Sequence, residues 1–324
     1  MNFLQYLDLE QCENLVNLPD SIVKLVQLRC LNLPDEVLKV NRAPCIKRVG
    51  TEFLRPSQPA AASFPRLNKM VLKGMVEWEE WEWEEKVQAM SRLEKLSLQS
   101  CKLRLVPPGL ASNAWALRKL SIQQVKQISY LEKFPSVVEL TVDWCPDLER
   151  ISNLPKVQKL TITRCPKLKV LKDVPELRRL VLEGVEHLRY LENIPFVVEL
   201  TVVGSSDLET ISNLPKLQKL TITRCPKLKV LKDVPALQRL VLVDGWIETL
   251  PEYVRDVTPR HLEVTESFIQ AMVSQRWPST TEMEKIKYKF DKIMACQTIA
   301  VLYMQLKSHL GLKTSTFRRR MKTC

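Results

Sequence analysis

The feature that most constrains this chain is an internal repeat with a period of about 20 residues. Each copy contains the pattern apolar-x-x-apolar-x-apolar, and from Leu117 onward successive copies start 20 residues apart. A chain with this pattern folds as an array of similar coils, each contacting only its neighbours. The copies begin at Leu4, Leu28, Leu67, Leu93, Leu117, Val137, Val157, Leu177, Val197, Leu217 and Leu237, and a weaker copy begins at Pro259.

Each copy predicts one short strand, then a turn and an extended return segment. Residues at the apolar strand positions point to one side, and the intervening residues point to the other. About 20 residues leave little room for a full helix on the return side, so we expect turns, short 3₁₀ pieces or polyproline-like backbone there. One coil alone buries too little apolar surface to offset the conformational entropy lost when it becomes ordered. Neighbouring coils must therefore cover its apolar faces. The sequence therefore predicts an α/β solenoid, right-handed, with a parallel sheet on its concave side.

The repeat divides the chain into an array and a tail. The solenoid is expected to span residues 1–264, with about 12 copies. A 39-residue step between two copies, together with a stretch rich in proline, alanine and serine, predicts an irregular insertion near residues 34–66. Residues 265–324 leave the period and form a separate basic tail, with 11 Lys/Arg against 4 Asp/Glu.

A longer period of three copies is superimposed on the short one. Asp147–Leu182 and Asp207–Leu242 match at 32 of 36 positions. The match indicates a tandem duplication that covers about 127–186 and 187–246. A repeat array accommodates such a duplication easily, because every coil contacts only its neighbours.

The tail is predicted to be helical. Thr281-Glu282-Met283-Glu284 is a capping-box pattern, and apolar residues then recur at helical spacing. A cap over the last coil is the favoured role. The alternative is a basic targeting or nucleic-acid-binding arm that ends in Arg318-Arg319-Arg320.

Composition excludes several classes of chemistry. The chain has only seven glycines and contains neither of the glycine-rich loops that hold nucleotide phosphates. Its three histidines lie far apart, and no nucleophile–base pair stands out, so we expect neither an enzyme nor a metal or cofactor site. No apolar run approaches the roughly 20 residues of a membrane span. The N-terminal residues lack a signal-peptide pattern, which favours a cytoplasmic location, with the nucleus as a second compartment.

The repeats read Leu-x-x-Leu-x-Leu-x-x-Cys in five copies, and this pattern resembles the leucine-rich repeats of plant nucleotide-binding leucine-rich-repeat disease-resistance proteins. The segment Gly74–Trp81 is similar to a Met-x-x-Trp-Glu-Glu-Trp phrase common in their coiled-coil subclass. The resemblance covers about residues 1–264. The five copies are Leu4–Cys12, Leu93–Cys101, Val137–Cys145, Val157–Cys165 and Leu217–Cys225.

The resemblance implies a horseshoe that recognises pathogen effectors, directly or through a guarded host protein, and that restrains the receptor's nucleotide-binding domain. No such domain occurs in this chain, so the nucleotide switch cannot be carried over. Met1 falls almost directly on a repeat, and we hypothesise that the chain is a fragment or truncated product of a longer receptor. The alternatives are a stand-alone adaptor without immune switching and, less favoured, a nucleic-acid binder that uses the tail.

Two groups of residues have a structural and a functional interpretation. Five of the nine cysteines occupy the ninth repeat position, where a buried thiol can donate to a neighbouring backbone carbonyl, and this interpretation is favoured over redox or metal chemistry. Trp78, Trp81 and Trp83 alternate with glutamates. They could form a binding hot spot, but we favour packing of the rings against the solenoid.

The outward-facing strand positions are the candidate binding surface, because they have no packing role. Stacking along a parallel sheet would place neighbouring side chains about 4.8 Å apart. Like charges at this spacing repel each other, which favours an acidic partner; the alternative is a solvated face that keeps the array soluble. The candidates are Lys69, Lys95, Lys119, Glu139, Lys159, Arg179, Glu199, Lys219 and Arg239 at the third position, with Trp144, Arg164 and Arg224 at the eighth.

Overall fold

A parallel sheet of twelve strands runs along the molecule. The computed structural model describes residues 7–8, 36–51, 64, 67–83, 89–243 and 251–264. Neighbouring strands of this main sheet follow one another in chain order, and every pairing is parallel. With strands numbered in chain order, the main sheet contains β1 (Leu7–Asp8), β2 (Glu36–Asn41), β4 (Leu67–Lys73), β6 (Lys95–Cys101), β7 (Lys119–Val125), β9 (Glu139–Asp143), β11 (Lys159–Thr163), β13 (Arg179–Glu183), β15 (Glu199–Val203), β17 (Lys219–Thr223), β19 (Arg239–Val243) and β20 (His261–Val264).

Short strands on the return side of the coils form three further parallel sheets. The pattern predicted turns and extended backbone there, and it did not predict that these segments would pair. The sheets contain β3 (Arg48–Val49) with β5 (Glu80–Trp81); β8 (Tyr130–Glu132), β10 (Arg150–Ser152) and β12 (Val170–Lys172); and β14 (Tyr190–Glu192), β16 (Thr210–Ser212) and β18 (Val230–Lys232).

The apolar repeat positions fill the space between the main sheet and the return side. In the coil that starts at Val157, the inward strand residues Leu160 and Ile162 are fully buried, and Cys165 and Leu168 are buried after the turn. Lys159, by contrast, is exposed. This alternation is the period of two expected for a strand with one buried face. The parallel solenoid predicted from the repeat is therefore confirmed.

Two corners in each coil place a residue in the left-handed region. The first corner follows the long strand, where φ is 54° at Arg164 and 61° at Gly184. The second follows the short strand, where φ is 54° at Asn153 and 56° at Asp173. Glycine, asparagine and aspartate adopt this conformation more readily than other residues do. At the first corner, the Arg164 amide donates to the Glu183 carbonyl of the next coil at 2.7 Å.

Helix is nearly absent from the described part of the chain. It contains one α-helix, α1 (Pro108–Asn113), and one 3₁₀ helix (Glu252–Asp256). The other described return segments are too short for a full helix, as the 20-residue period predicted. The predicted helical tail, residues 265–324, lies outside the described residues.

The stretch rich in proline, alanine and serine within the predicted insertion near residues 34–66 lies outside the described residues, so the insertion stays a prediction. The described part of this range also contains a strand of the main sheet: β2 pairs with β4, and β3 pairs with β5. The strand was missed because its pairing with β4 contains a bulge and its apolar residues do not follow the full repeat pattern. The division of the chain at residue 264 stays a prediction.

The tryptophan segment is part of the core. Trp78 is fully buried, Trp81 is buried within β5, and Trp83 packs against them. The ring centroids lie 5.3 Å apart for the first pair and 6.3 Å apart for the second. The Trp78 indole N–H donates to the Glu80 carbonyl at 2.7 Å. The favoured packing role is confirmed, and the rings are not available as a binding hot spot.

The glutamates of this segment form ion pairs with neighbouring coils. Glu77 pairs with Lys102 at 2.8 Å, and Glu79 pairs with Arg104 at 3.1 Å. The hydrogen bond from Lys102 lowers the pKa of Glu77 below its usual value. These exposed pairs each contribute little to stability, but they account for the acidic side chains between the tryptophans.

Candidate functional site

The exposed face of the main sheet presents three regular columns of side chains. The third, fifth and seventh repeat positions point outward, as the alternation along β11 and β17 shows. Strand pairing in register places equivalent residues side by side, for example Lys159 beside Arg179 and Lys219 beside Arg239. The structure thus brings the nine predicted third-position residues into one continuous ladder.

The two glutamates of the ladder neutralise cations within it. Glu139 accepts from Lys119 at 2.7 Å and from Lys159 at 2.6 Å. These two hydrogen bonds lower the pKa of Glu139 below its usual value. Glu199 pairs with Arg179 at 2.9 Å. The repulsion expected along the ladder is therefore relieved in part by the chain itself.

The eighth-position candidates lie at the corner after the strand, beside the ladder. Arg164 binds the Asp143 carboxylate through two contacts, at 2.7 and 2.6 Å, and Thr163 donates to the same carboxylate at 2.6 Å. Burial acts to raise the pKa of Asp143, but these hydrogen bonds outweigh it and lower the pKa. Trp144 stands next to this cluster with 49% of its surface exposed. The cluster offers a fixed aromatic and ionic edge to a partner.

Several candidate cations have no ionic partner among the described residues. These are Lys69, Lys95, Lys219 and Arg224. Arg224 repeats the position of Arg164, but the residue equivalent to Asp143 is Val203, which offers no carboxylate. Unpaired cations on a fixed sheet are available to an external carboxylate without breaking an internal contact.

The structure adds residues to the face that the sequence did not single out. Lys39 lies in β2, and Lys73 lies at the seventh position of β4; both are exposed. Lys39 was hidden because its strand lay in the predicted insertion. Lys73 could have been found by examining the seventh position as well as the third. Gln99 and Gln123 occupy the same column, and their amides form a hydrogen bond of 3.1 Å.

The described cysteines at the ninth position are buried thiols, and Cys12 lies outside the described residues. The sulfur of Cys165 lies 3.3 Å from the Thr163 carbonyl, and that of Cys225 lies 3.5 Å from the Thr223 carbonyl. Burial raises the pKa of Cys101 to about 11. The predicted donation to a backbone carbonyl is confirmed. A thiol that stays protonated is a poor nucleophile.

The described residues offer no site for metal or membrane chemistry. No three His, Cys, Asp or Glu side chains in this part of the chain are placed to hold one metal ion. None of the described helices is long and apolar enough to cross a bilayer.

No protein-family model and no curated protein sequence matches the chain. Three solved bacterial structures are similar to it. A leucine-rich-repeat protein from Bacteroides ovatus has 12% identity and a TM-score of 0.23, over 82% of this chain and 71% of that one. A leucine-rich cell-surface protein from Faecalibacterium prausnitzii has 10% identity and a TM-score of 0.18, over 75% and 83%.

The third similar structure is a leucine-rich-repeat protein from Leptospira interrogans, with 16% identity and a TM-score of 0.21, over 88% of this chain and 93% of that one. At such identities and scores, the three structures carry no argument about function. The fold rests on this molecule's own features, namely the repeated leucine pattern and the parallel strand that each copy adds to one sheet. These features make the chain a leucine-rich-repeat solenoid.

Proposed function

We propose that the chain is a protein-recognition array whose partner binds the exposed face of the main sheet. The observation that carries the proposal is the in-register ladder, in which Lys69, Lys95 and Lys219 have no ionic partner among the described residues. A sheet whose backbone is already ordered loses little backbone entropy on binding, so the main entropic cost is the ordering of the lysine side chains. That the chain is not an enzyme stays a prediction.

In its finer form, the proposal assigns the array to a plant immune receptor of the nucleotide-binding leucine-rich-repeat class. The support is the resemblance of the Leu-x-x-Leu-x-Leu-x-x-Cys copies and of the Gly74–Trp81 segment to that family. In this form, the partner is a pathogen effector or a guarded host protein. The array also restrains the receptor's nucleotide-binding domain by binding one of its states better than the other. The location would be the cytoplasm or the nucleus.

The alternative is a leucine-rich-repeat adaptor that joins host proteins without an immune switch. The same sheet face would serve both functions, so the site does not distinguish the receptor from the adaptor. The full-length transcript distinguishes them. A nucleotide-binding region in frame upstream of the array supports the receptor, and a transcript without one supports the adaptor.

The recognition proposal is tested by reversing charges on the ladder. Lys159, Arg179, Lys219 and Arg239 are replaced together by Glu. The matched control replaces four lysines on the return side with Glu: Lys169, Lys172, Lys229 and Lys232, which are all exposed. Both variants change the net charge equally. Partners are isolated with the unmodified protein and identified, and each is then produced separately so that its affinity for both variants can be measured.

We expect the ladder variant to lose binding, while the control keeps an affinity close to that of the unmodified protein. Binding that survives ladder reversal would contradict recognition through this face. Circular dichroism must show that both variants retain the β-rich fold, so that lost affinity is not lost structure.

A further inference from the structure

The exposed face of the main sheet is divided into a basic part and a self-paired part. On β2, β4, β6 and β7, the third, fifth and seventh positions carry five lysines and no acidic residue. From β9 to β20, the face carries four cations and five carboxylates, and ion pairs within it engage three of the four cations. The cations are Lys159, Arg179, Lys219 and Arg239, and the carboxylates are Glu139, Asp143, Glu183, Glu199 and Glu263.

The five lysines form one basic patch, defined here as Lys39, Lys69, Lys73, Lys95 and Lys119. Strand pairing places Lys69 beside Lys95 and Lys95 beside Lys119. Lys119 pairs with Glu139 at the boundary of the patch, whereas the other four lysines form no ion pair with the described residues.

On β6 and β7, the described residues beside the patch do not neutralise it: at the second position, Glu94 and Arg118 are both exposed and carry opposite charges, so they cancel. At the far edge, Asp8 of β1 is paired in register with Asn41, which separates it from Lys73. The lysines therefore repel one another, and an external anion would relieve this repulsion.

The chemistry of the patch distinguishes between kinds of anion. Its outward columns on β4, β6 and β7 contain lysine, serine, glutamine and valine, with no aromatic residue and no arginine. Nucleic-acid-binding surfaces use aromatic rings to stack bases, and arginine is the residue that pairs with phosphate through two hydrogen bonds. Lysine acts as a point charge that attracts carboxylates and phosphates alike, so the absence of stacking rings is what disfavours a single-stranded nucleic acid and leaves an acidic peptide as the favoured anion. Ser97, Ser121 and the paired Gln99 and Gln123 add hydrogen-bonding groups for a peptide backbone.

We propose that the basic patch binds an acidic segment, rich in aspartate and glutamate, of a partner protein. The proposal rests on the recognition function proposed above, and it names the partner's chemistry and the four strands that bind it. The strands from β9 onward would contact the partner outside its acidic segment.

The test uses the full chain and two double variants with the same change in net charge. Lys69→Glu with Lys95→Glu alters the patch, and Arg179→Glu with Arg239→Glu alters the self-paired part, where both arginines are ion-paired. A third variant, Lys69→Gln with Lys95→Gln, removes the charges without reversing them. The probes are a short fluorescein-labelled peptide rich in Asp and Glu, the same peptide with Asn and Gln in their place, and a single-stranded oligonucleotide of equal charge.

We expect fluorescence anisotropy to show that the acidic peptide binds and the amide peptide does not. The patch variants should weaken binding about tenfold, and the variant of the self-paired part should change it much less. If both double variants lost the same amount of affinity for the acidic peptide, net charge alone would explain the binding, and the proposal would be overturned. If the oligonucleotide bound more tightly than the peptide, and the patch variants lost this binding, the patch would be a nucleic-acid site and the proposal would be wrong.

The result can be separated from the test of recognition itself. An identified partner could lose affinity on ladder reversal but bind the Lys69/Lys95 variants normally. In that case, recognition through the sheet face is supported, and the proposal that the basic patch binds an acidic segment is wrong. The double glutamine variant is expected to keep or raise the midpoint of thermal unfolding, because it removes two like charges that lie side by side on neighbouring strands.

Discussion

One buried hydroxyl shows how strongly the ninth repeat position prefers sulfur. Ser205 occupies the place that Cys145 holds in the other copy of the duplication, and it is 1% exposed. Its hydroxyl has no hydrogen-bond partner among the described residues, whereas the Cys145 thiol lies 3.7 Å from the Asp143 carbonyl. A buried polar group without a partner is destabilising, while a thiol behaves as a small apolar group.

We predict that Ser205→Cys raises the free energy of unfolding by about 1 kcal/mol. The reciprocal change, Cys145→Ser, should lower it by a similar amount. Urea unfolding followed by circular dichroism measures both. If Ser205→Cys destabilised the protein, the hydroxyl would have to possess a partner.

A second residue-scale feature is the carboxylate of Asp207, which lies between Lys227 and His187. Lys227 approaches one oxygen at 2.7 Å, and His187 approaches the other at 2.9 Å. Hydrogen bonds from Lys227 and then from His187 lower the pKa of Asp207 to about 2. In the other copy, Asp147 pairs with Lys167 at 2.7 Å, and Gln127 stands in place of the histidine.

The lowered pKa predicts how this contact responds to acid. The ordinary value of the group is 3.8, so the folded state holds the carboxylate ionised to lower pH than the unfolded state does. The stability it contributes is fully present above about pH 4 and is lost as the pH falls toward 2. Carbon-13 NMR of the Asp207 carboxyl should show this titration, and Lys227→Met should shift its pKa upward more than His187→Gln does. Titration near 3.8 in the unmodified protein would show that the contact does not persist in solution.

At the scale of elements, the helix α1 depends on a glycine that faces a tryptophan. A methyl group added to Gly109 would lie 2.0 Å from the Trp83 ring. The ring cannot withdraw freely, because Trp83 packs against the buried core and lies near Trp81. A glycine is therefore needed here for close approach, although alanine is the better helix former.

We predict that Gly109→Ala lowers the free energy of unfolding by about 2 kcal/mol, because overpacking outweighs the gain in helix propensity. The same change in a Trp83→Leu background should cost much less. Thermal unfolding of the four proteins forms a double-mutant cycle. An equal cost in both backgrounds would mean that the clash is not the cause.

The short strands show what a repeat pattern does and does not predict at this scale. The long strands follow from the two-residue alternation of apolar side chains, which any one coil displays. The short strands, such as β10, have only one buried apolar residue, Ile151, between two flanking positions. A strand of three residues is too short to show an alternation of apolar and polar side chains, so the neighbouring coils decide whether it pairs.

At the scale of the whole molecule, the duplication leaves a mark in the structure. The short strands pair within each copy, but β12 of the first copy and β14 of the second are not paired. Leu171 is correspondingly half-exposed, whereas its equivalent Leu231 is buried. The main sheet continues across the same point through five paired residues of β13 and β15. The array is thus continuous on one side and interrupted on the other.

Hydrogen exchange should detect this interruption. The amides of Arg150 and Thr210 donate to the preceding coil at 3.3 and 3.2 Å, whereas the equivalent amide of Tyr190 has no such bond in the described structure. We predict that the Tyr190 amide exchanges faster than those of Arg150 and Thr210. Equal protection at the three sites, measured by NMR, would show that the short sheets join in solution.

The two copies also differ on the exposed face. Residues 147–182 and 207–242 differ at four positions only, but all four residues of 143–146 differ from those of 203–206. The first set supplies Asp143 and Trp144 to the edge of the candidate face, and the second supplies Val203 and Gly204. The two copies therefore present different side chains to a partner, although most of the buried residues in 147–182 are repeated in 207–242.

The sequence by itself determined the solenoid, its strand positions and its buried faces, because these follow from a periodic placement of apolar side chains that each coil repeats. It also located the third-position ladder. Only the tertiary structure decided which ladder charges neutralise one another, since Glu139 meets Lys119 and Lys159 from strands on either side. The same holds for β2, whose Lys39 joins the basic patch although its strand falls outside the repeat pattern. Local patterns set which side of the sheet a residue faces, whereas pairing between distant coils sets which residues meet there.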